Sequence, residues 1–213
     1  MKIAILQANL GNFDKPIDPV KQTIPADFHR FTDKDFPPIT GLTPRLQYRI
    51  PKLFGWEMFP GYDVYIWLDG SVTFERPDCV EWYLKQLWDN DVAFFKHPVR
   101  RYIRQEVEHI EQKLKENSKY IVPRYKNGLH KEMYEEIKKS GYKDDVLYAS
   151  TAFIYRNNYK VREFMKLWWF YQSRYYTVDQ IAQTYCARLA GLKVKRIDEH
   201  LFKIGYLSLV SHH

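Results

Sequence analysis

The segment YDVYIWLDGS, residues 62–71, decides the fold class. Its β-branched and aromatic residues make a strand-forming run, and the run stops at the turn pair Asp69-Gly70. A strand whose carboxyl end delivers a carboxylate into a turn is where α/β folds put their chemistry. Towards the N-terminus, PRLQYRIPKLF (residues 44–54) reads as a helix capped by Thr43, with Pro44 at its first position. Leu46, Ile50 and Leu53 share one face of it, and Pro51 is expected to kink or end it. The prolines and glycine of DKDFPPITGLTP mark the loop before it, and ADFHRFTD (26–33) is a strand ending at Thr32-Asp33. IAILQA (3–8) is a short apolar run feeding a loop through Asn9, Gly11 and Asn12, and reads as a buried strand.

Downstream, the alternation continues. A helix opens at Pro77-Asp78 with Val80, Tyr83, Leu84, Leu87 and Trp88 at helical spacing, and VAFFKHP (92–98) is the next strand. RYIRQEVEHIEQKLKEN turns Ile103, Val107, Ile110 and Leu114 inward, and a second charged helix, HKEMYEEIKKSG, closes at Gly141. The strand VLYASTAFIYRN, a helix over residues 158–172, the helix DQIAQTYCARLAG and the strand LKVKRID complete the chain. Strands separated by helices throughout predict one α/β domain over residues 1–213, with a mostly parallel central sheet and helices on both faces.

Composition narrows the function classes. The 213 residues carry 33 Lys and Arg against 26 Asp and Glu, a net charge of +7, and 17% are aromatic, which is incompatible with disorder as the default state. Two cysteines, Cys79 and Cys186, exclude a disulfide framework or a four-cysteine metal site. No run approaches the roughly 18 apolar residues of a membrane span, and KIAILQANLG lacks a secretory signal's h-region, so a cytoplasmic protein that engages no membrane is expected.

Several residues stand where chemistry is usually done, each with a structural alternative. Asp69 followed by Gly70 lets a cation and a phosphate approach the backbone, but the same pair also makes an ordinary turn. His97 lies just beyond a strand, as a ligand contact or as a structural hydrogen-bonding residue, with Arg100 and Arg101 after it. Glu106 stands one helical turn beyond Arg101, where it can hold an arginine. Asp179-Gln180 opens a helix, where a carboxylate is favoured by the helix dipole alone. Ser150-Thr151 interrupt a strand at the same edge, able to hydrogen-bond an acceptor or simply to fill the strand. The cluster Trp168, Trp169, Phe170, Tyr171, Tyr175 and Tyr176 reads as core and amphipathic rim, with ring stacking on a sugar or base as the alternative.

Taken in order, IAILQANLGNFD, FHRFTD, RLQYRIPKLF, YDVYIWLDGS, FFKHPVRRYIRQEVE and TVDQIAQTY resemble the TOD/MUCI-type glycosyltransferase family of plants, bacteria and phages. The resemblance spans nearly the whole chain and is most specific in WLDGS and KHPVRR. It implies a GT-A-like (Rossmann-like) fold and transfer of a sugar from a nucleotide donor, a UDP-sugar, with Mn2+ or Mg2+. It also implies that Ala8, Asn9 and Asp33 belong to the nucleoside pocket. Arg45, Arg49 and Lys52 would then meet donor phosphates, and Asp69 and Gly70 the metal and diphosphate. His97, Arg101, Ser150 and Thr151 would face the sugar or acceptor, and Asp179, Gln180 and Glu106 would serve the reaction. Ser71 stands where many such enzymes have a second carboxylate, so a metal would need another ligand or several waters; the resemblance points to a terminal histidine, His212 or His213, with a frayed terminus as the alternative.

The basic clusters at Lys96, Arg100, Arg101 and Arg104 and at Lys193, Lys195 and Arg196 suit a nucleotide donor and also a polyanionic acceptor, such as phage DNA carrying hydroxymethylated pyrimidines. Two other classes compete. A nucleic-acid-binding module without catalysis would tolerate loss of Asp69, and a nucleotidyltransferase would release pyrophosphate instead of a nucleoside diphosphate.

Overall fold

The computed structural model describes residues 1–176 and 178–210. Its elements follow the order β1 (Ile3–Ala8), β2 (Asp27–Phe31), α1 (Pro44–Gln47), α2 (Arg49–Met58), β3 (Val64–Asp69), β4 (Val72–Phe74), α3 (Cys79–Leu87) and β5 (Val92–Lys96). After these come α4 (Ile103–Lys115), α5 (Val122–Tyr125), α6 (Leu129–Lys139), β6 (Tyr148–Arg156), α7 (Tyr159–Tyr175), α8 (Asp179–Leu189), β7 (Val194–Ile197) and β8 (Leu207–Leu209). Among the described residues, no helix is long and apolar enough to cross a membrane.

Six strands form one sheet in the order β2-β1-β3-β6-β5-β7. The pairings β1·β2, β1·β3 and β5·β7 are parallel, and β6 runs antiparallel to both of its neighbours. The sheet is therefore mixed, with β6 alone reversing the direction that the alternation of strands and helices predicts throughout. Its reversal follows from connectivity: α4, α5 and α6 intervene after β5, and the chain re-enters at the edge where β5 ended.

Period-two alternation divides the apolar side chains between two faces. Ala4, Leu6, Ala8, Tyr65, Trp67, Phe94 and Phe153 meet Leu53, Phe164, Trp168, Ile181 and Val107, so α2, α4, α7 and α8 cover one face. Ile3, Ile5, Ile66, Leu68, Ala93, Phe95 and Ile154 meet Val80, Tyr83 and Leu87 of α3, together with Val72, Phe74 and Leu207 from β4 and β8. The α2 helix lies close on β1 because Gly55 has no Cβ; one placed there would run into Leu6 Cδ1.

Thr43 caps α1 as expected, its Oγ1 accepting from Leu46 N at 3.2 Å, with Pro44 in the first turn. The break expected at Pro51 falls instead at Tyr48. Pro51 lies in the first turn of α2, where a backbone N–H would have no intrahelical partner anyway, so the proline is accommodated without a kink.

Candidate active-site cleft

The carboxyl ends of β1, β3 and β5 and the amino-terminal half of β6 meet at one edge of the sheet. A cleft of about 620 Å³ opens there, lined among others by Asn9, Asp69, Tyr48, Ser150, Asp179 and Arg124. The register places Ala8 opposite Asp69, so both strand ends release their chains at the same level. Gln7, buried, holds the turn after β3 by donating to Val72 O at 2.7 Å and Asp69 O at 3.3 Å. On β6, pairing to β3 ends at Ala152 and the register with β5 slips between Phe94 and Lys96. Ser150 and Thr151 therefore sit in an irregular stretch at the cleft, where strands commonly re-aim side chains.

At the β1/β3 end, Gly70 makes a close approach. A Cβ on it would lie 2.6 Å from Asp14 Oδ2 and 2.7 Å from Ala8 O, so only glycine lets these oxygens gather beside Asp69. Asn9 fixes the loop by donating to Asp14 O at 2.6 Å and accepting from Asp14 N at 3.1 Å. Asp33 does not line the cleft; its Oδ1 accepts from Gly11 N at 2.8 Å and braces the same loop.

Beneath the floor lies a network of buried charges. Asp179, at the first turn of α8, pairs with Arg49 Nε at 2.8 Å and Lys52 Nζ at 2.8 Å, and accepts from Tyr48 Oη at 3.2 Å and Ser150 Oγ at 3.5 Å. Lys52 Nζ also reaches Asp69 Oδ1 at 3.1 Å, and Trp67 Nε1 donates to the same oxygen at 2.8 Å. Arg49 and Lys52 are each 1% exposed. Burial alone would raise the Asp179 carboxyl, but the Arg49 and Lys52 charges outweigh it and hold the group far below the usual carboxylate range. Burial pulls Lys52 down, and Asp179 and Asp69 more than restore it, so the ammonium stays charged. Asp69 is raised by burial despite Lys52 and Trp67.

The β5 end supplies a different wall. Arg100 Nε donates to Glu106, which lines the cleft from α4 beside His109. His97 is 7% exposed and does not line the cleft. Its Nδ1 accepts from Val99 N at 3.2 Å and Arg100 N at 2.9 Å, and Arg100 Nη2 lies 3.2 Å from Nε2. Burial, then the Arg100 charge, lower His97 to about 4. Arg101 turns away, donating to Asp145 O at 3.1 Å. Arg45 comes from α1, Arg124 and Tyr125 from α5, and Tyr120 from the turn before α5.

Of the residues singled out from sequence, Ala8, Asn9, Arg45, Asp69, Gly70, Glu106, Ser150, Thr151, Asp179 and Gln180 all line this one cleft. Arg49 and Lys52 support it from below, whereas Asp33, His97 and Arg101 lie outside its lining. His212 and His213 fall outside the described residues. Asp14, Tyr48, His109, Tyr120, Arg124 and Tyr125 are additions made by the structure. Asp14 ends the motif NLGNFD, and a carboxylate closing a loop directly after a strand was its available signal; the others lie on helix faces or turns with no pattern of their own.

Among the described residues, no three His, Cys, Asp or Glu side chains form a ready-made metal cage. The oxygen donors around Gly70 nevertheless suit a hard divalent cation that takes one or two protein carboxylates and fills its remaining positions with water and substrate phosphate.

Comparison with known proteins bears on this cleft. A family profile described as TOD1/MUCI70, glycosyltransferase-like domain, matches residues 42–206. No curated protein matches the chain. A solved structure described as the crystal structure of A197 from STIV aligns over 100% of this chain and 96% of that chain, at 11% identity and a TM-score of 0.43.

Proposed function

Since the chain belongs to the TOD1/MUCI70 glycosyltransferase-like domain family, we propose that it moves a sugar from a nucleotide-sugar donor, a UDP-sugar, to an acceptor hydroxyl within this cleft. The nucleoside lies at the β1 end against Ala8 and Asn9, and the diphosphate lies over the Asp69-Gly70 turn. The observation that carries the reading is the close approach at Gly70, which gathers Asp14 Oδ2, Ala8 O and the Asp69 turn at the shared carboxyl ends of two parallel strands. A Mn2+ or Mg2+ ion held there by Asp69 and Asp14 would neutralise the departing diphosphate. Asp69 is open to a ligand on one side only, because Oδ1 is engaged by Lys52 and Trp67.

In the transfer, a bond forms between the acceptor oxygen and the anomeric carbon, the bond from that carbon to the diphosphate breaks, the diphosphate leaves with the electron pair, and the acceptor proton passes to solvent. Asp179 is already paired with two cations and has little basicity left, so its part is electrostatic: it fixes Lys52 and Arg49 under the diphosphate. Glu106 and Gln180 face the cleft and are the groups within it suited to orienting the sugar and acceptor. Arg45 and Arg124 in the cleft lining favour an acceptor with negative charge, of which a hydroxymethylated pyrimidine in DNA is one case.

Thermal stability with nucleotides and nucleotide sugars, each with and without Mn2+, tests the donor assignment, because a ligand that binds only the folded state raises Tm. A metal-dependent shift with UDP or its sugars is expected. A flat response from a folded protein would overturn it.

A further inference from the structure

The cleft has a second cationic locus, away from Asp69. Among the described residues, seven of the thirteen arginines are paired with acids: Arg30 with Asp18, Arg49 with Asp179, Arg76 with Asp78, Arg100 with Glu106, Arg104 with Glu108, Arg174 with Glu136 and Arg196 with Asp198. Arg45 and Arg124 line the cleft, and neither has a carboxylate within ion-pair distance among the described residues. Their neighbours are rings. The Arg124 guanidinium lies 3.6 Å from the centre of the Tyr120 ring, with Nη1 donating to Tyr120 O at 2.7 Å. Arg45 lies 4.6 Å from the centre of the Tyr125 ring and donates to the Tyr125 hydroxyl, and Tyr125 follows Arg124 directly in the chain. Arg45 Nη1 is buried and has no hydrogen-bond partner among the described residues.

We propose that Arg45 and Arg124, set against Tyr125 and Tyr120, form an oxyanion site for a phosphate group of the acceptor. This rests on the reading that places the donor diphosphate at Asp69. Sheet order then separates Arg124 from the donor turn: Asp69 leaves β3 on one side of β6, whereas α5 follows β5 on the other, and Arg45 reaches Tyr125 there from α1. The fork of an arginine stacked on a ring matches two phosphate oxygens and loses little freedom on binding. Arg45 also acts electrostatically on Asp179, but Arg49 and Lys52 already neutralise that carboxylate. The acceptor assigned by this geometry carries its hydroxyl on a phosphate-bearing unit, a sugar phosphate or a phosphodiester.

The probe is a thymidine dinucleotide phosphodiester, compared with its uncharged methylphosphonate twin at low salt, with UDP and Mn2+ saturating so that the donor site is filled. The phosphodiester should bind about tenfold tighter than its twin, and Arg124→Ala or Tyr120→Ala should abolish that difference while leaving the UDP-dependent Tm shift intact. Both residues are on the cleft surface, and the retained UDP shift reports a folded variant. Equal binding of the two probes, or no binding of either, would overturn the site. So would loss of the UDP shift in Arg124→Ala with unchanged dinucleotide binding, because the arginine would then serve the donor. If the wild type shows no UDP shift yet distinguishes the probes through Arg124, the donor assignment fails and the oxyanion site stands.

Discussion

The Lys52 ammonium lies 3.1 Å from Asp69 Oδ1 and, by the same nitrogen, 2.8 Å from Asp179 Oδ2. One buried cation thus couples the end of β3 to the start of α8, elements 110 residues apart in sequence (Asp69 and Asp179). A lysine buried with two carboxylates is stable only as a complete set, since each desolvated charge needs its partner.

Removing that cation leaves Asp179 with Arg49 and its two hydroxyl donors, and leaves Asp69 with the Trp67 N–H and no cation among the described residues. Lys52→Met should therefore cost about 3–5 kcal/mol in chemical denaturation at neutral pH. Lys52→Met combined with Asp69→Asn should recover part of that loss, because the carboxylate left without a cation is gone while Asp179 keeps Arg49. If the double variant is no more stable than Lys52→Met, the network is not held by this ion pair.

Asp69 is the carboxylate proposed to meet cation and diphosphate. Asp69→Asn keeps an oxygen for Trp67 Nε1 and leaves Lys52 paired with Asp179, so the fold should persist. Turnover should fall on the order of 10²-fold or more, the usual scale for losing one electrostatic contact to a developing charge. The Mn2+-dependent part of the UDP thermal shift should vanish with it. Retention of that shift would place the metal elsewhere.

The alternation of strands and helices was legible because each element carries its own period, as in IAILQA and in Ile103, Val107 and Ile110 of α4. The direction of β6 was not, since a buried strand has the same pattern read either way. The β4·β8 pair joins two three-residue strands far apart in sequence, too short for any periodicity. Asp69 and Asp179 could be singled out because a strand end and a helix start are local features. That Lys52 would lie buried between them, instead of facing solvent and phosphate, depends on α2 packing over β1 and β3, which local pattern does not encode. Arg124 carried no signal for the same reason: its neighbours on the cleft come from α1 and α4.

Gly70 offers a test of the cradle. In Gly70→Ala the new methyl would meet Asp14 Oδ2 at 2.6 Å and Ala8 O at 2.7 Å. The second is backbone in the central sheet and cannot yield cheaply. The variant should lose about 1–3 kcal/mol of stability through overpacking, and with it most of the donor-induced Tm shift. Gly141→Ala is a useful contrast, since nothing lies within 4 Å there and only its positive φ of 75° is strained. An unaltered UDP shift in Gly70→Ala would remove the close approach from the donor site.

His97 makes a pH prediction whose sign is fixed. Its folded pKa is lowered to about 4 from the ordinary 6.5, by burial and then by Arg100. Between those values the unfolded chain binds a proton that the folded protein does not, so stability is full above about 6.5 and falls as pH drops towards 4. The loss from this residue alone is at most about 3 kcal/mol at 1.36 kcal/mol per pH unit. His29, His109 and His130 are lowered as well, burial being the largest cause in each, and add to the slope in the same direction. His97→Asn isolates the one residue, because the amide oxygen can still accept from Val99 N and Arg100 N while nothing titrates. Denaturation curves at pH 7, 5.5 and 4.5 should show a shallower decline in the variant than in the wild type. Parallel declines would mean that His97 protonates in the folded state, which the two N–H donors on its Nδ1 oppose.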